Sequence, residues 1–141
     1  MATQTYLNTL SCRKRDNNDL SFELIIDGSP FGDLIGEPDM PITYWYFLDE
    51  GFDRQLPRSS WRDDGRRLIA VCSCGESGCG HVDCLVELGT ELVIFKNFGG
   101  DTARDRMSDM EFRFSVENYQ MVLSDIVNTA REYHQKNPPI A

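Results

Sequence analysis

Residues 112–130 read FRFSVENYQMVLSDIVNTA, and they carry the clearest structural signal in the chain. Ser115 is a suitable helix N-cap, and Glu117 follows in the first turn, where the helix dipole favours an acid. Pro138 and Pro139 end the helical pattern. The spacing of three and four residues that marks one helix face joins Tyr119, Val122, Leu123, Ile126, Val127 and Ala130. The sequence therefore predicts a long C-terminal helix whose apolar face packs on a sheet.

Six segments have the composition of β-strands. They are rich in β-branched and aromatic residues, are bounded by turn signals, and cover residues 21–26, 42–48, 67–73, 82–88, 91–98 and 112–115. Residues 28–41 hold three glycines and three prolines, which predicts a loop with one short helical turn around Leu34. Segment 42–48 is apolar on both faces, so a central strand is expected there. We predict a single α+β domain over residues 1–141, with a mostly antiparallel sheet of five to six strands packed against the C-terminal helix.

The composition is that of an ordinary globular protein. Of its 141 residues, 40% are hydrophobic and 26% are charged. Residues 1–12 lack the basic start and long apolar run of a secretory signal, and no stretch approaches the ~20 apolar residues of a membrane span. The cysteines number five, which is odd, and four of them fall within thirteen residues, so a secreted disulfide framework is a poor explanation. We expect a cytoplasmic protein.

The charge is acidic and unevenly distributed. The formal net charge is −9, and residues 16–53 contain ten Asp or Glu and no Lys or Arg. Such a surface repels nucleic acid and anionic membranes, and it speeds the encounter with a basic partner. Solubility alone is the alternative explanation for the acids. The candidate partner-binding residues are Asp33, Glu37, Asp39, Asp49, Glu50 and Asp53.

The most distinctive motif is a cysteine-rich run, CSCGESGCGHVDC, at residues 72–84. The strands on either side are expected to form a hairpin with residues 75–80 at its tip. Structural zinc takes four thiolate or imidazole ligands in a tetrahedron, and a glycine-rich turn can present them. The candidate metal ligands are Cys72, Cys74, Cys79, His81 and Cys84. In the alternative interpretation Cys72, Cys74 and Cys84 are small core residues, because free cysteine is among the most buried residue types.

Two resemblances involve this run. The spacing Cys72-x-Cys74-x4-Cys79 resembles the zinc-binding post-SET segment of histone methyltransferases, and it implies ligand spacing without a methylation activity. The phrase LIAVCSCGESGC at 68–79, with residues 92–95, 112–114 and Tyr119, resembles a group of small uncharacterised bacterial proteins that share a Cys-Ser-Cys-Gly-Glu-x-Gly-Cys core. The second resemblance covers about the C-terminal half of the chain. It implies a shared fold and a bacterial or phage origin, with no established activity.

Catalytic patterns are scarce. Cys79 with His81 as its base is conceivable, but the sequence identifies no third group that would orient the pair. Phosphate-binding loops, dinucleotide fingerprints and the His-x-Glu of zinc deaminases are missing from the sequence. A series of arginines surrounds Trp61 in the sequence and consists of Arg54, Arg58, Arg62, Arg66 and Arg67. These side chains could contact a phosphate or a carboxylate partner, but the favoured interpretation is that they neutralise the chain's own acids.

Three functions from different classes follow. The favoured hypothesis is a non-enzymatic acidic module that inhibits a basic protein partner, such as a nucleic-acid-binding protein, in the manner of toxin-immunity or phage anti-defence (anti-CRISPR) proteins. The alternative is a regulatory or adaptor protein with a zinc-stabilised hairpin, which chelators would unfold. The third hypothesis is a thiol-dependent enzyme, which requires one thiol of depressed pKa.

Overall fold

The α+β class predicted from the sequence is confirmed. A computed structural model describes residues 7–16, 19–36, 40–48, 54–58, 65–71, 80–100 and 109–137. In chain order the elements are β1 (Leu10–Asp16), β2 (Leu20–Ile26), β3 (Ser29–Pro30), α1 (Phe31–Leu34), β4 (Ile42–Thr43), a 3-10 helix (Tyr44–Phe47), β5 (Arg66–Val71), β6 (His81–Leu88), β7 (Leu92–Gly99), β8 (Phe112–Ser115) and α2 (Val116–Lys136). The strands of these described ranges form two antiparallel four-stranded sheets, whereas the sequence predicts a single sheet of five to six.

The first sheet is built around β2. Strand β1 pairs with the full length of β2 along one edge of β2. Strands β3 and β4 pair with the two ends of β2 along its other edge. Asp27 and Gly28 turn the chain between β2 and β3 with φ values of 53° and 83°, the left-handed conformation of a two-residue hairpin turn. The predicted strand at 21–26 and its Asp-Gly turn are confirmed, but β1 was not among the predicted strands.

The prediction of a strand over residues 42–48 is wrong beyond its first two residues. Only Ile42 and Thr43 pair with β2, and a 3-10 helix follows. In this helix residues three apart lie on the same side. Tyr44 and Phe47 are therefore both buried, and Trp45 between them is exposed. Apolar side chains at every position fit this arrangement as well as a strand, so alternation could not distinguish the two.

The second sheet has the order β5-β6-β7-β8. The predicted pairing of residues 67–73 with 82–88 is confirmed where it is described: Arg67 pairs with Cys84 and Val71 with His81. A bulge at Ile69 shifts the register, so Leu68 pairs with Asp83 while Ala70 pairs with Val82.

Helix α2 packs against both sheets and confirms the predicted C-terminal helix. The Ser115 hydroxyl accepts a hydrogen bond from the Asn118 amide at 3.1 Å, which is the expected N-cap. The Asn118 side chain bonds the backbone of Leu10 in β1, with contacts of 2.7 and 2.9 Å. The buried face of the helix consists of Tyr119, Leu123, Ile126, Val127 and Ala130. These residues join side chains of both sheets in one hydrophobic cluster.

Candidate functional site

Three polar side chains meet near the start of β6, and we call Arg66, His81 and Asp83 the Asp83 cluster. Arg66 Nε donates to Asp83 Oδ1 at 2.8 Å, and Arg66 Nη2 bonds the same oxygen and the Asn97 carbonyl. His81 Nε2 lies 3.1 Å from Asp83 Oδ2. The buried carboxylate thus has a separate partner on each oxygen, as a buried charge requires.

The backbone next to this cluster contains a β-bulge and two residues with positive φ. Strand β7 carries one residue more than β6 between the pairs Asp83–Gly99 and Leu85–Lys96, and Asn97 in this bulge has a φ of 52°. Gly100 follows with a φ of 106°. A Cβ on Gly100 would lie 2.5 Å from the His81 carbonyl oxygen and 3.1 Å from its ring Cδ2. Gly100, just after β7, therefore lies in close contact with His81.

The structure places the two described metal candidates on opposite faces of β6. His81 shares its face with Asp83, whereas Cys84, three residues from His81, points into the core and is fully buried. Burial raises the pKa of the Cys84 thiol, Arg66 opposes that rise, and Asp83 adds to it. Cys84 thus matches the core-thiol alternative. The other candidates, Cys72, Cys74 and Cys79, lie outside the described residues. Among the residues that the structure does describe, three or more potential ligands do not come together at any point.

The acidic stretch at 16–53 is partly neutralised by bases from β1. Glu23 is buried in β2 and forms ion pairs with Arg13 and, at 4.0 Å, with Arg15. Asp27 accepts hydrogen bonds from the Asn8 side chain and the Thr9 amide at 2.7 and 2.8 Å, so its carboxylate is a structural group. Glu23 is therefore not part of an open acidic surface, whereas Asp27 is exposed.

Of the six predicted partner-binding residues, the structure describes one. Asp33 lies in α1 and is exposed, so its carboxylate is accessible to a partner. Glu37, Asp39, Asp49, Glu50 and Asp53 lie outside the described residues.

The arginine series is dispersed in the structure. Arg66 binds Asp83, as the interpretation that these arginines neutralise the chain's own acids predicts. Arg67 donates to the Leu56 carbonyl at 3.4 Å, and Arg58 pairs with Arg67 in an isolated β-bridge. Arg54, which has a φ of 58°, lines a groove beside the β6–β7 turn of the second sheet. Arg62 lies outside the described residues, as does Trp61.

That groove, which we call the Leu88–Met121 groove, has a volume of about 640 Å³. The β6–β7 turn and the first turns of α2 form its walls, and Arg54 and Gln55 line it as well. Leu88 is 54% exposed and Met121 is 70% exposed, and both border the groove. Large exposed apolar side chains at a concave surface are typical of protein-interaction sites.

Three acidic side chains line the groove or the hollow next to it. Glu117 lines the groove itself, and Glu87 and Glu91 line a second hollow that shares Leu88 and Gly89 with the groove. Glu87 is ion-paired with Lys96. Arg54 is the single basic side chain among the residues that line the groove in the described part of the chain. The surface therefore combines apolar anchors with an acidic rim.

The sequence interpretation did not include this groove. Met121 lies outside the apolar stripe of α2, and Leu88 directly precedes the Gly89-Thr90 turn. Each residue alone is an ordinary exposed apolar side chain. Only the packing of α2 beside the β6–β7 turn brings them to one surface.

Within the described ranges, the helices are too short or too polar to cross a membrane. No protein-family model matches the chain, and no match was found among curated proteins or solved structures.

Proposed function

We propose that this chain is a non-enzymatic acidic module that binds and inhibits a basic protein. The observation that carries the proposal is the Leu88–Met121 groove, where two strongly exposed apolar side chains lie beside acidic groups. Full burial of a leucine or methionine side chain is worth roughly 1.5–3 kcal/mol. Because both side chains are more than half exposed, their burial by a partner supplies a large part of that energy.

The charge of the chain supports a basic partner. A net charge of −9 accelerates encounter with a positive surface, and charges around an apolar centre determine association rate and specificity more than affinity. In this proposal the acids Asp33, Glu37, Asp39, Asp49, Glu50 and Asp53 attract the partner. Leu88 and Met121 then hold it at short range.

The proposed partner is a nucleic-acid-binding protein of the cytoplasm. Proteins that bind nucleic acid present clustered Lys and Arg, and an acidic module that covers those residues blocks access to phosphates. This is the mode of action expected of a toxin-immunity or phage anti-defence protein. The same acids disfavour direct binding of nucleic acid or anionic membrane by this chain. The free thiols of Cys12 and Cys84 are compatible with a reducing compartment.

The rate of association tests the electrostatic part of the proposal. The tagged protein is used to capture its partner from its host, and the partner is identified by mass spectrometry and purified. Stopped-flow mixing is expected to show an association rate that falls steeply between low and high salt, because screening weakens long-range attraction. Asp33→Asn removes one of the acids proposed to attract the partner, Glu117→Gln removes a negative charge from the lining of the groove, and both variants are expected to slow association.

Glu132→Gln provides the matched control. It removes the same charge from an exposed residue near the opposite end of α2, where Glu132 pairs with Lys136 at 2.9 Å. A smaller effect of Glu132→Gln than of Asp33→Asn or Glu117→Gln supports local steering. An association rate independent of salt, or a captured partner without a basic surface, contradicts the proposal.

A further inference from the structure

Arg54 lines the Leu88–Met121 groove, and it is exposed. In the described part of the chain it forms neither a hydrogen bond nor an ion pair, although Glu117 lines the same groove. The other arginines of the described ranges each have at least one hydrogen-bonding, ionic, ring or electrostatic interaction, and they are Arg13, Arg15, Arg58, Arg66, Arg67, Arg113 and Arg131. Arg54 is therefore the described arginine whose charge is available to a partner.

The backbone of Arg54 is in the left-handed conformation, with a φ of 58°. This conformation is uncommon for a residue that has a Cβ, and residues held in it cluster at ligand-binding and active sites. The other non-glycine residues with positive φ in the described ranges, Asp27 and Asn97, belong to a hairpin turn and a β-bulge. Arg54 belongs to neither kind of element in the part of the chain that the structure describes. Its conformation therefore does not serve the pairing of strands there.

The rest of the groove favours an apolar group next to this charge. Leu88 and Met121 are exposed, and Val93 and Val116 line the groove with them. A guanidinium group presents its N–H donors in a planar fork that matches the two oxygens of a carboxylate. Apolar neighbours lower the local dielectric constant, so such a pair is stronger beside them than in open water. The groove therefore combines a contact for a carboxylate with contacts for an apolar side chain.

We propose that the basic partner occupies the groove with a carboxylate next to an apolar side chain, and that this carboxylate binds Arg54. The carboxylate belongs to an Asp or Glu side chain of the partner or to its C-terminus. This inference rests on the proposed function, because it names the group that the groove selects on that partner. The acids of this chain determine how fast the partner arrives. Arg54 determines which segment of the partner fits, because it repels a Lys or Arg at the same position.

Arg54→Gln distinguishes this contact from general electrostatic attraction. The variant adds one unit of net negative charge, so attraction alone predicts equal or faster association with a basic partner. We expect faster dissociation from the captured partner and about 10–100-fold weaker affinity, measured by surface plasmon resonance. Lys14→Gln is the matched control, because it removes the same charge from an exposed residue of β1 outside the groove. A folded Arg54→Gln variant that binds as tightly as Lys14→Gln overturns the proposal.

Changes in the partner identify the source of the carboxylate. Replacing its Asp and Glu residues one at a time with Asn and Gln tests the side chains, and removing its last residue tests the C-terminus. We expect one of these changes to weaken binding of the wild-type chain and to have little further effect on Arg54→Gln, since two residues in contact are not additive. Full additivity of every change with Arg54→Gln overturns the proposal.

N-acetylleucine tests the contact without the partner. It carries one apolar side chain and one carboxylate, and N-acetylleucinamide is the matched compound without the charge. In an NMR titration of the full chain, we expect N-acetylleucine to shift the amide signals of Leu88, Gly89 and Met121 at lower concentrations than the amide does. Arg54→Gln is expected to remove this difference. Absence of a preference for the carboxylate in the wild type overturns the proposal. The proposed function would still stand in that case, because salt-independent association or a partner without a basic surface is what contradicts it.

Discussion

Replacing Ile126 with Asp is expected to unfold the protein or to leave it barely stable. Ile126 lies on the buried face of α2 and is fully enclosed. Removing a packed isoleucine costs about 2–5 kcal/mol, and a carboxyl group without a partner in the same place adds a desolvation penalty. Domains of this size have a total stability of about 5–15 kcal/mol, so the loss is a large fraction of it. Urea denaturation followed by circular dichroism measures the change.

Asn128→Asp is the matched control for this prediction. Asn128 is exposed on the same helix, and the variant introduces the same side chain with the same charge two residues away. Exposed substitutions of this kind usually change the stability by less than about 0.5 kcal/mol. If Ile126→Asp were as stable as Asn128→Asp, the packing of α2 on the sheets would be wrong.

Replacing Gly100 with Ala is expected to destabilise the protein by about 2–5 kcal/mol, the sum of a strained backbone and a steric clash. The φ of 106° is disfavoured for every residue that has a Cβ. The added methyl group would also meet the His81 carbonyl oxygen at 2.5 Å, and a backbone atom cannot move aside as a flexible side chain can. The denaturation midpoint in urea reports the loss.

Gly28→Ala separates the two causes. Gly28 has a similar positive φ of 83°, but a Cβ there would meet no atom within 4 Å. Backbone strain alone is expected to cost about 1–2 kcal/mol at Gly28. An equal loss of stability in the two variants would show that the close approach of Gly100 to His81 is absent in solution.

The elements that the sequence predicts correctly have strong local signals. The apolar stripe of α2, its Ser115 cap and the alternation of β2 each involve residues close together in the chain. The Asp27-Gly28 turn requires two positive φ values, which this pair adopts more readily than most others. Local preference and tertiary packing favour the same structure in these segments, so the sequence pattern is sufficient to predict it.

The fold predictions that fail concern segments whose secondary structure depends on packing against residues distant in the sequence. Strand β1 has the sequence LSCRKRD, and its three bases obscure the apolar alternation of a strand. Its backbone pairs with β2 along its full length, and Arg13 and Arg15 form ion pairs with the buried Glu23 of β2. Segment 42–48 became mostly a 3-10 helix because Tyr44 packs on Tyr133 of α2 and Phe47 packs on Phe22 of β2. Neither contact can be read from the segment itself.

The same limit applies to the candidate sites. The sequence gives no sign that Asp83 contacts the His81 ring, because a carboxylate two residues away has no special meaning until the strand places both side chains on one face. The sequence interpretation also groups Cys84 with the other candidate ligands. Residues three apart on a strand point to opposite faces, and Cys84 and His81 do so in β6. The Leu88–Met121 groove joins residues 33 positions apart and has no local signal.

The affinity of the captured basic partner for a groove variant tests the central claim most directly. The variant Leu88→Ala/Met121→Ala removes both apolar anchors, and Leu7→Ala is its control, since Leu7 is 51% exposed and lies outside the groove. Loss of about 1.4–2.8 kcal/mol of apolar burial predicts affinity about 10–100-fold weaker for the double variant, mainly through faster dissociation. Leu7→Ala is expected to bind like the wild type. Wild-type affinity in the folded double variant would contradict the assignment of the groove as the binding surface.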